Sequence, residues 1–85
     1  MEKSTFSEEY AVMLRLLREI RERKKLTQVQ LAERLGEQQA FVSKCESGQR
    51  RLDIVQLRIF CRALGTTLPA FVSEYEKRLA GARRR

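Results

Sequence analysis

Between Thr27 and Gly48 the chain has room for only two helices of about two turns each, and this brevity restricts the fold more than any other feature. Helices that short are marginal alone and persist only by packing on one another. A steep crossing requires a small residue at the contact, a glycine at the bend and an aliphatic residue on the second helix to lock it. Ala32, Gly36 and Val42 supply these at offsets of four and six, and Leu31, Leu35 and Cys45 complete the buried faces. Thr27 is a good N-cap for the first of the pair, and Gly36 ends it with the left-handed backbone a sharp stop needs. The second is expected over Gln38 to Glu46, stopped by Ser47 and Gly48.

The flanking segments are helical by period. Phe6, Tyr10, Met13, Leu17 and Ile20 recur at spacings of three and four and form one apolar stripe, with Thr5 and Glu8 placed for a capping box. That helix is expected to end near Lys24 or Lys25, where Arg23, Lys24 and Lys25 suit the negative end of the helix dipole. Asp53 caps a fourth helix carrying Ile54, Leu57, Phe60, Cys61 and Leu64, closed by Gly65. Thr67, Leu68 and Pro69 open a fifth, lined by Leu68, Phe71, Val72, Tyr75 and Leu79. Nothing reads as a strand or a repeat. The fold class is therefore all-α, a compact bundle of about five helices. Residues 1–16 read as an N-terminal extension of the first helix, 17–80 as the domain, and 81–85 as a frayed basic tail. The extra turns of the first helix are expected to pack on the fifth, because Phe71, Tyr75 and Leu79 need cover and Phe6, Tyr10 and Met13 need a partner.

A chain of 85 residues holds one small domain. With 42% hydrophobic and 34% charged residues and a single Pro, it is ordered rather than disordered. No apolar run nears the roughly 18 residues of a membrane span, and the first residues do not resemble a secretory signal, so no membrane partner and a cytoplasmic location are expected. The chain has no His, which removes the commonest general base and zinc ligand. Cys45 and Cys61 lie in apolar-periodic segments and read as buried reduced thiols. No metal, no cofactor and no enzymatic activity are expected. The net charge is +7, and its excess begins at Arg21: residues 1–20 carry three basic and four acidic groups, 21–51 eight and four, 52–85 seven and three. Such a field suits a polyanion.

Residues 17–72 resemble the phage-repressor-like helix-turn-helix family, which includes lambda repressor, Cro and Xre-type regulators. The resemblance rests on Leu17-Arg18-Glu19-Ile20-Arg21, Leu26-Thr27-Gln28, Leu31-Ala32-Glu33-Arg34-Leu35-Gly36, Val42 to Arg50, and Leu57 to Gly65, in order and spacing. Cys45 stands where the family usually has Ile or Leu, and Cys61 where it usually has Ala, so both are assigned to the core. Residues 1–16 carry no family information.

The resemblance implies a transcriptional regulator, in the first instance a repressor, that binds duplex DNA with Gln38 to Glu46 in the major groove. Gln38, Gln39, Ala40, Phe41 and Lys44 are the base-facing candidates. Gln39 suits the N6 and N7 edge of adenine, Lys44 suits O6 or N7 of guanine, and Ala40 and Phe41 suit a thymine methyl or a deoxyribose. Gln28, Ser43, Arg50 and Arg51 are the phosphate candidates. Arg21 and Glu46 are implied to pair and tie the first helix to the recognition helix. The resemblance also implies a homodimer on a two-fold symmetric site, for which Val55 and Ile59 are an outward apolar pair. The alternative is a protein-interaction module or antitoxin on the same scaffold, with a protein partner in place of or beside DNA.

Overall fold

In a computed structural model, residues 2–83 are described, with side chains for residues 8–81. Five helices follow in order: α1 (Glu2–Arg23), α2 (Gln28–Leu35), α3 (Gln39–Ser47), α4 (Ile54–Ala63) and α5 (Leu68–Arg83). No strand occurs among the described residues.

The caps follow local chemistry. The Thr27 side chain accepts from the Gln30 N–H, and the Gln30 side chain accepts from the Thr27 N–H, so two groups at the start of α2 satisfy each other. Asp53 and Gln56 repeat this device at α4. Gly36, at φ 70°, ends α2 in the left-handed region. A Cβ there would meet no atom within 4 Å, so the requirement is for a backbone angle and not for space. Lys25 adopts the same region, at φ 61°, in the turn between α1 and α2.

The core joins all five helices. Leu16, Leu17 and Ile20 of α1 meet Leu31 and Ala32, Val42 and Cys45, then Leu57, Phe60 and Cys61, and finally Phe71. Burying a side chain the size of Phe60 or Phe71 is worth about 1.5–3 kcal/mol. Cys45 and Cys61 are fully buried, as the apolar pattern implied. Two apolar residues outside the expected stripe, Leu14 and Leu16, are buried as well. The reason is that α1 is covered twice, by α3 and by α5, so one stripe undercounts its buried surface.

The extra turns of α1 do contact α5: Tyr75 Oη donates to the Glu9 carbonyl at 3.1 Å, and Met13 and Tyr75 pack against the core. The Phe6 side chain lies outside the described residues. Three boundaries differ from those expected. Helix α1 already runs from Glu2, so Thr5 lies inside it and does not cap it. Helix α3 starts at Gln39, with Gln38 as an N-cap that makes no side-chain bond. Helix α5 continues through Gly81 to Arg83, where a frayed tail was expected, while Arg84 and Arg85 lie outside the described residues.

Candidate nucleic-acid interface

Position 21 lies on the inward side of α1, where an arginine is tolerated only with partners for its buried donors. Its side chain is only 9% exposed, and Glu46 opposite it 6%. Arg21 Nε donates to Glu46 Oε2 at 2.6 Å, one terminal nitrogen donates to Oε1 at 3.1 Å, and the other donates to the Leu26 carbonyl at 2.7 Å. The fork therefore fixes three points at once: the last turns of α1, the entry to α2 and the end of α3.

From Glu46 the bonding continues outward. Gln28 Nε2 donates to Glu46 Oε1 at 2.9 Å, and Gln39 Nε2 donates to Gln28 Oε1 at 2.7 Å. Gln28 is half-buried and Gln39 is exposed at the first turn of α3. A primary amide has two N–H donors and a carbonyl with two lone pairs. Within this network Gln39 uses one donor, and the exposed amide retains an acceptor oxygen and a second N–H, the kind of pair that can read one edge of adenine.

Beside this chain is an open groove lined by Gly36, Glu37, Gln38, Ala40, Phe41, Lys44 and Arg50. Gln38, Ala40, Lys44 and Arg50 are exposed. Phe41 differs from its neighbours. It is half-buried, its ring 6.2 Å from that of Phe60, and the Arg50 guanidinium lies over it at 5.1 Å. Its inner side thus belongs to the core edge and its outer side carries a cation. Ser43 is half-buried and Arg51 lies over the Tyr10 ring at 4.3 Å; neither lines the groove. Among the described residues no carboxylate pairs with Lys44 or Arg50.

Two residues of this surface escaped the sequence reading. Glu37 lines the groove as its one acid, and the only sequence signal for it was its place directly after Gly36. Tyr10 reaches the loop after α3, a contact spanning 42 positions that no local pattern reveals.

The thiols do no chemistry here. Burial pushes Cys61 up to about 11, and burial also raises Cys45, partly offset by the nearby Arg50. Both are free and buried, so they remain protonated near neutrality and inaccessible. No cluster of three or more metal-ligating side chains occurs among the described residues, and no described helix is long and apolar enough to cross a membrane.

Comparison with known proteins agrees with this geometry. The family profile for a helix-turn-helix domain matches residues 13–71. Among solved structures, an XRE-family like protein from Pseudomonas syringae pv. tomato str. DC3000 is 42% identical, with a TM-score of 0.83 over 89% of this chain and 93% of that one. No curated protein matches. Domains of this kind are DNA-binding regulatory modules without catalytic activity. The bidentate Arg21–Glu46 pair, the left-handed Gly36 between α2 and α3 with Ala32 and Val42 buried on either side of it, and both comparisons lead to one assignment: the chain belongs to the XRE-type, phage-repressor-like family of helix-turn-helix DNA-binding domains.

Proposed function

We propose that the protein is a sequence-specific transcriptional regulator of the repressor type, acting in the cytoplasm, with α3 as the helix that enters the major groove. The observation that carries this reading is the chain Arg21–Glu46–Gln28–Gln39. It runs from a buried ion pair to an exposed amide and aims that amide before any partner arrives. Pre-aiming lowers the side-chain ordering cost of binding.

On this reading Gln39 takes an adenine edge and Lys44 takes guanine O6 or N7, while Gln38 and Ala40 flank them. Phe41 supports Arg50 and offers only its outer edge to a thymine methyl or sugar. Gln28 keeps a second N–H for a phosphate at the N-terminus of α2, where the helix dipole favours an anion. Ser43, Arg50 and Arg51 complete the backbone contacts. Glu37 repels a misplaced phosphate or accepts from cytosine N4. The protein binds as a homodimer on a two-fold site, and the exposed Ile54, Val55 and Ile59 of α4 are the apolar surface available for self-association.

Selection of bound sites from a random duplex library tests this directly. The expected result is a symmetric consensus whose half-sites lie about one helical turn apart. Recovery of no enriched sequence, with no retardation of random duplex at low salt, sinks the reading. The α4 patch would then favour a protein-interaction module or antitoxin on the same scaffold.

A further inference from the structure

Two open depressions between α2 and α4 share Leu35 and Ile59 and so make one continuous groove. One half is also lined by Glu37, Phe41, Gln56 and Phe60, the other by Arg34, Arg62 and Ala63. On α4 the lining positions 56, 59, 60 and 63 recur at three and four, so they form one face of about two turns, roughly 10 Å long. Phe60 is buried, whereas Ile59 is 48% exposed and covered by nothing in the chain. A large aliphatic side chain left in the floor of a groove marks a surface that another molecule covers.

The charges around this groove say what covers it. A terminal nitrogen of Arg34 donates to the Ala63 carbonyl at 2.9 Å, which ties the end of α2 to the last turn of α4 and holds a cation at one end of the groove. A guanidinium has five N–H donors, so this bond leaves most of them for a partner. Arg62, and Arg58 one turn before it, are exposed, and no carboxylate pairs with either among the described residues. The occupant must therefore bring aliphatic side chains for Leu35 and Ile59 and anions for Arg34 and Arg62. A duplex brings the anions without the aliphatic groups. A second copy brings a net charge of +7 and the same excess of cations, with Glu37 as the one acid in its groove. A helix with a leucine-like stripe edged by Asp and Glu brings both.

We infer that the groove between α2 and α4 is the docking site for an acidic amphipathic helix of a partner protein, whose aliphatic stripe covers Leu35 and Ile59 and whose carboxylates meet Arg34 and Arg62. This goes beyond the DNA-binding reading and does not depend on it. Gln39, Lys44 and Arg50 do not line the groove, so its occupant leaves those side chains uncovered. Glu37 and Phe41 line both this groove and the one beside Lys44, so the partner stands next to the proposed duplex surface. Ile54 and Val55 do not line it and remain for self-association.

The test selects binders of the full chain from a displayed library of helices of about three turns, in which a fixed leucine stripe is flanked by positions randomised over Asp, Glu, Asn, Gln, Lys and Arg. Enrichment of Asp and Glu is expected. The enriched peptide is then titrated against wild type, Ile59→Ala, Arg62→Ala and Lys44→Ala, each first shown by circular dichroism to melt as a folded chain. Ile59→Ala should weaken the peptide about five- to tenfold through lost apolar contact, and Arg62→Ala about two- to fivefold through a lost rim charge. Lys44→Ala removes the same charge outside this groove and should leave peptide affinity unchanged. Equal loss in Lys44→Ala and Arg62→Ala would reduce the binding to general charge attraction and overturn the inference, as would selection that enriches no peptide or enriches basic ones. A dimer in sedimentation that Ile59→Ala dissociates and the peptide cannot enter assigns the groove to a second copy. Random-duplex affinity that falls in Arg62→Ala as far as peptide affinity does assigns it to phosphate. Either result overturns the inference, and failure of the selection with duplex binding intact leaves the DNA reading standing.

Discussion

The face made by α2 and α3 and the face made by α1 and α5 treat their charges in opposite ways. On α1 and α5, cations and acids meet: Glu19 with Arg78 at 2.6 Å and Arg23 with Glu74 at 3.6 Å across the two helices, and Glu74 with Arg78 at 3.5 Å along α5, all partly or well exposed. Around α3, Lys44 has no described acid partner and Arg50 rests on an aromatic ring instead of a carboxylate. The one carboxylate used for bonding near α3, Glu46, is turned inward. Acids are therefore paired with cations on one face, whereas on the other the groove's one acid, Glu37, makes no ion pair with Lys44 or Arg50, and the cations there keep their field.

Removing the buried pair gives the largest expected effect. Arg21→Ala leaves Glu46 buried with only Gln28 for company and should cost about 3 kcal/mol, lowering the melting temperature by roughly 10–20 °C. Thermal unfolding followed by circular dichroism reads this, and an unchanged midpoint would show that the pair carries no structural weight.

Substitutions on the α3 face should spare stability and strike affinity. Lys44→Ala should lower affinity for a selected site by about 1–3 kcal/mol and random binding by less, whereas Arg50→Ala should weaken all duplexes alike and flatten the salt slope by about 0.9 unit. Titrations of specific and random duplexes at several salt concentrations separate the two. Identical behaviour would remove the distinction between base reader and backbone contact.

The α1–α5 face should answer least. A double-mutant cycle on Glu19 and Arg78 should give a coupling of about 0.2–1 kcal/mol, because the pair is largely solvated. The hydrogen bond from Arg78 holds the Glu19 carboxyl below its ordinary value of 4.5. A lowered folded-state value means that the contribution is present above the unfolded value and is lost as pH falls through the folded one. Glu19→Gln should therefore be slightly less stable than wild type above about pH 4.5, and the two should converge as the pH falls below it. DNA affinity should not move at all, and a change there would break the division between the faces.

Much of this was legible in the residues because the relevant chemistry is local. Thr27 and Asp53 each have a glutamine three positions on, and Ala32, Gly36 and Val42 sit within eleven residues of one another, so a short window contains each device whole. Contacts between distant segments were not legible. Nothing near Tyr10 announces the Leu52 N–H, nothing near Arg34 announces its bond to the Ala63 carbonyl at 2.9 Å, and the half-burial of Phe41 depends on where Phe60 arrives. The stripe on α1 failed to include Leu14 and Leu16 for the same reason, since a second covering helix is not visible from the period of the first.

The turn at Lys25 carries one more lesson, for engineering rather than for binding. Gly36 and Gly48 occupy left-handed positions without steric cost, but Lys25 at φ 61° holds that conformation with a full side chain, exposed and at a junction the core does not require to be a lysine. The chain therefore keeps a reserve of unrealised thermostability in a single torsion. Lys25→Gly or Lys25→Asn should raise the melting temperature slightly with no loss of duplex affinity, and a lowered midpoint would show that the lysine earns its strained place through its charge at the end of α1.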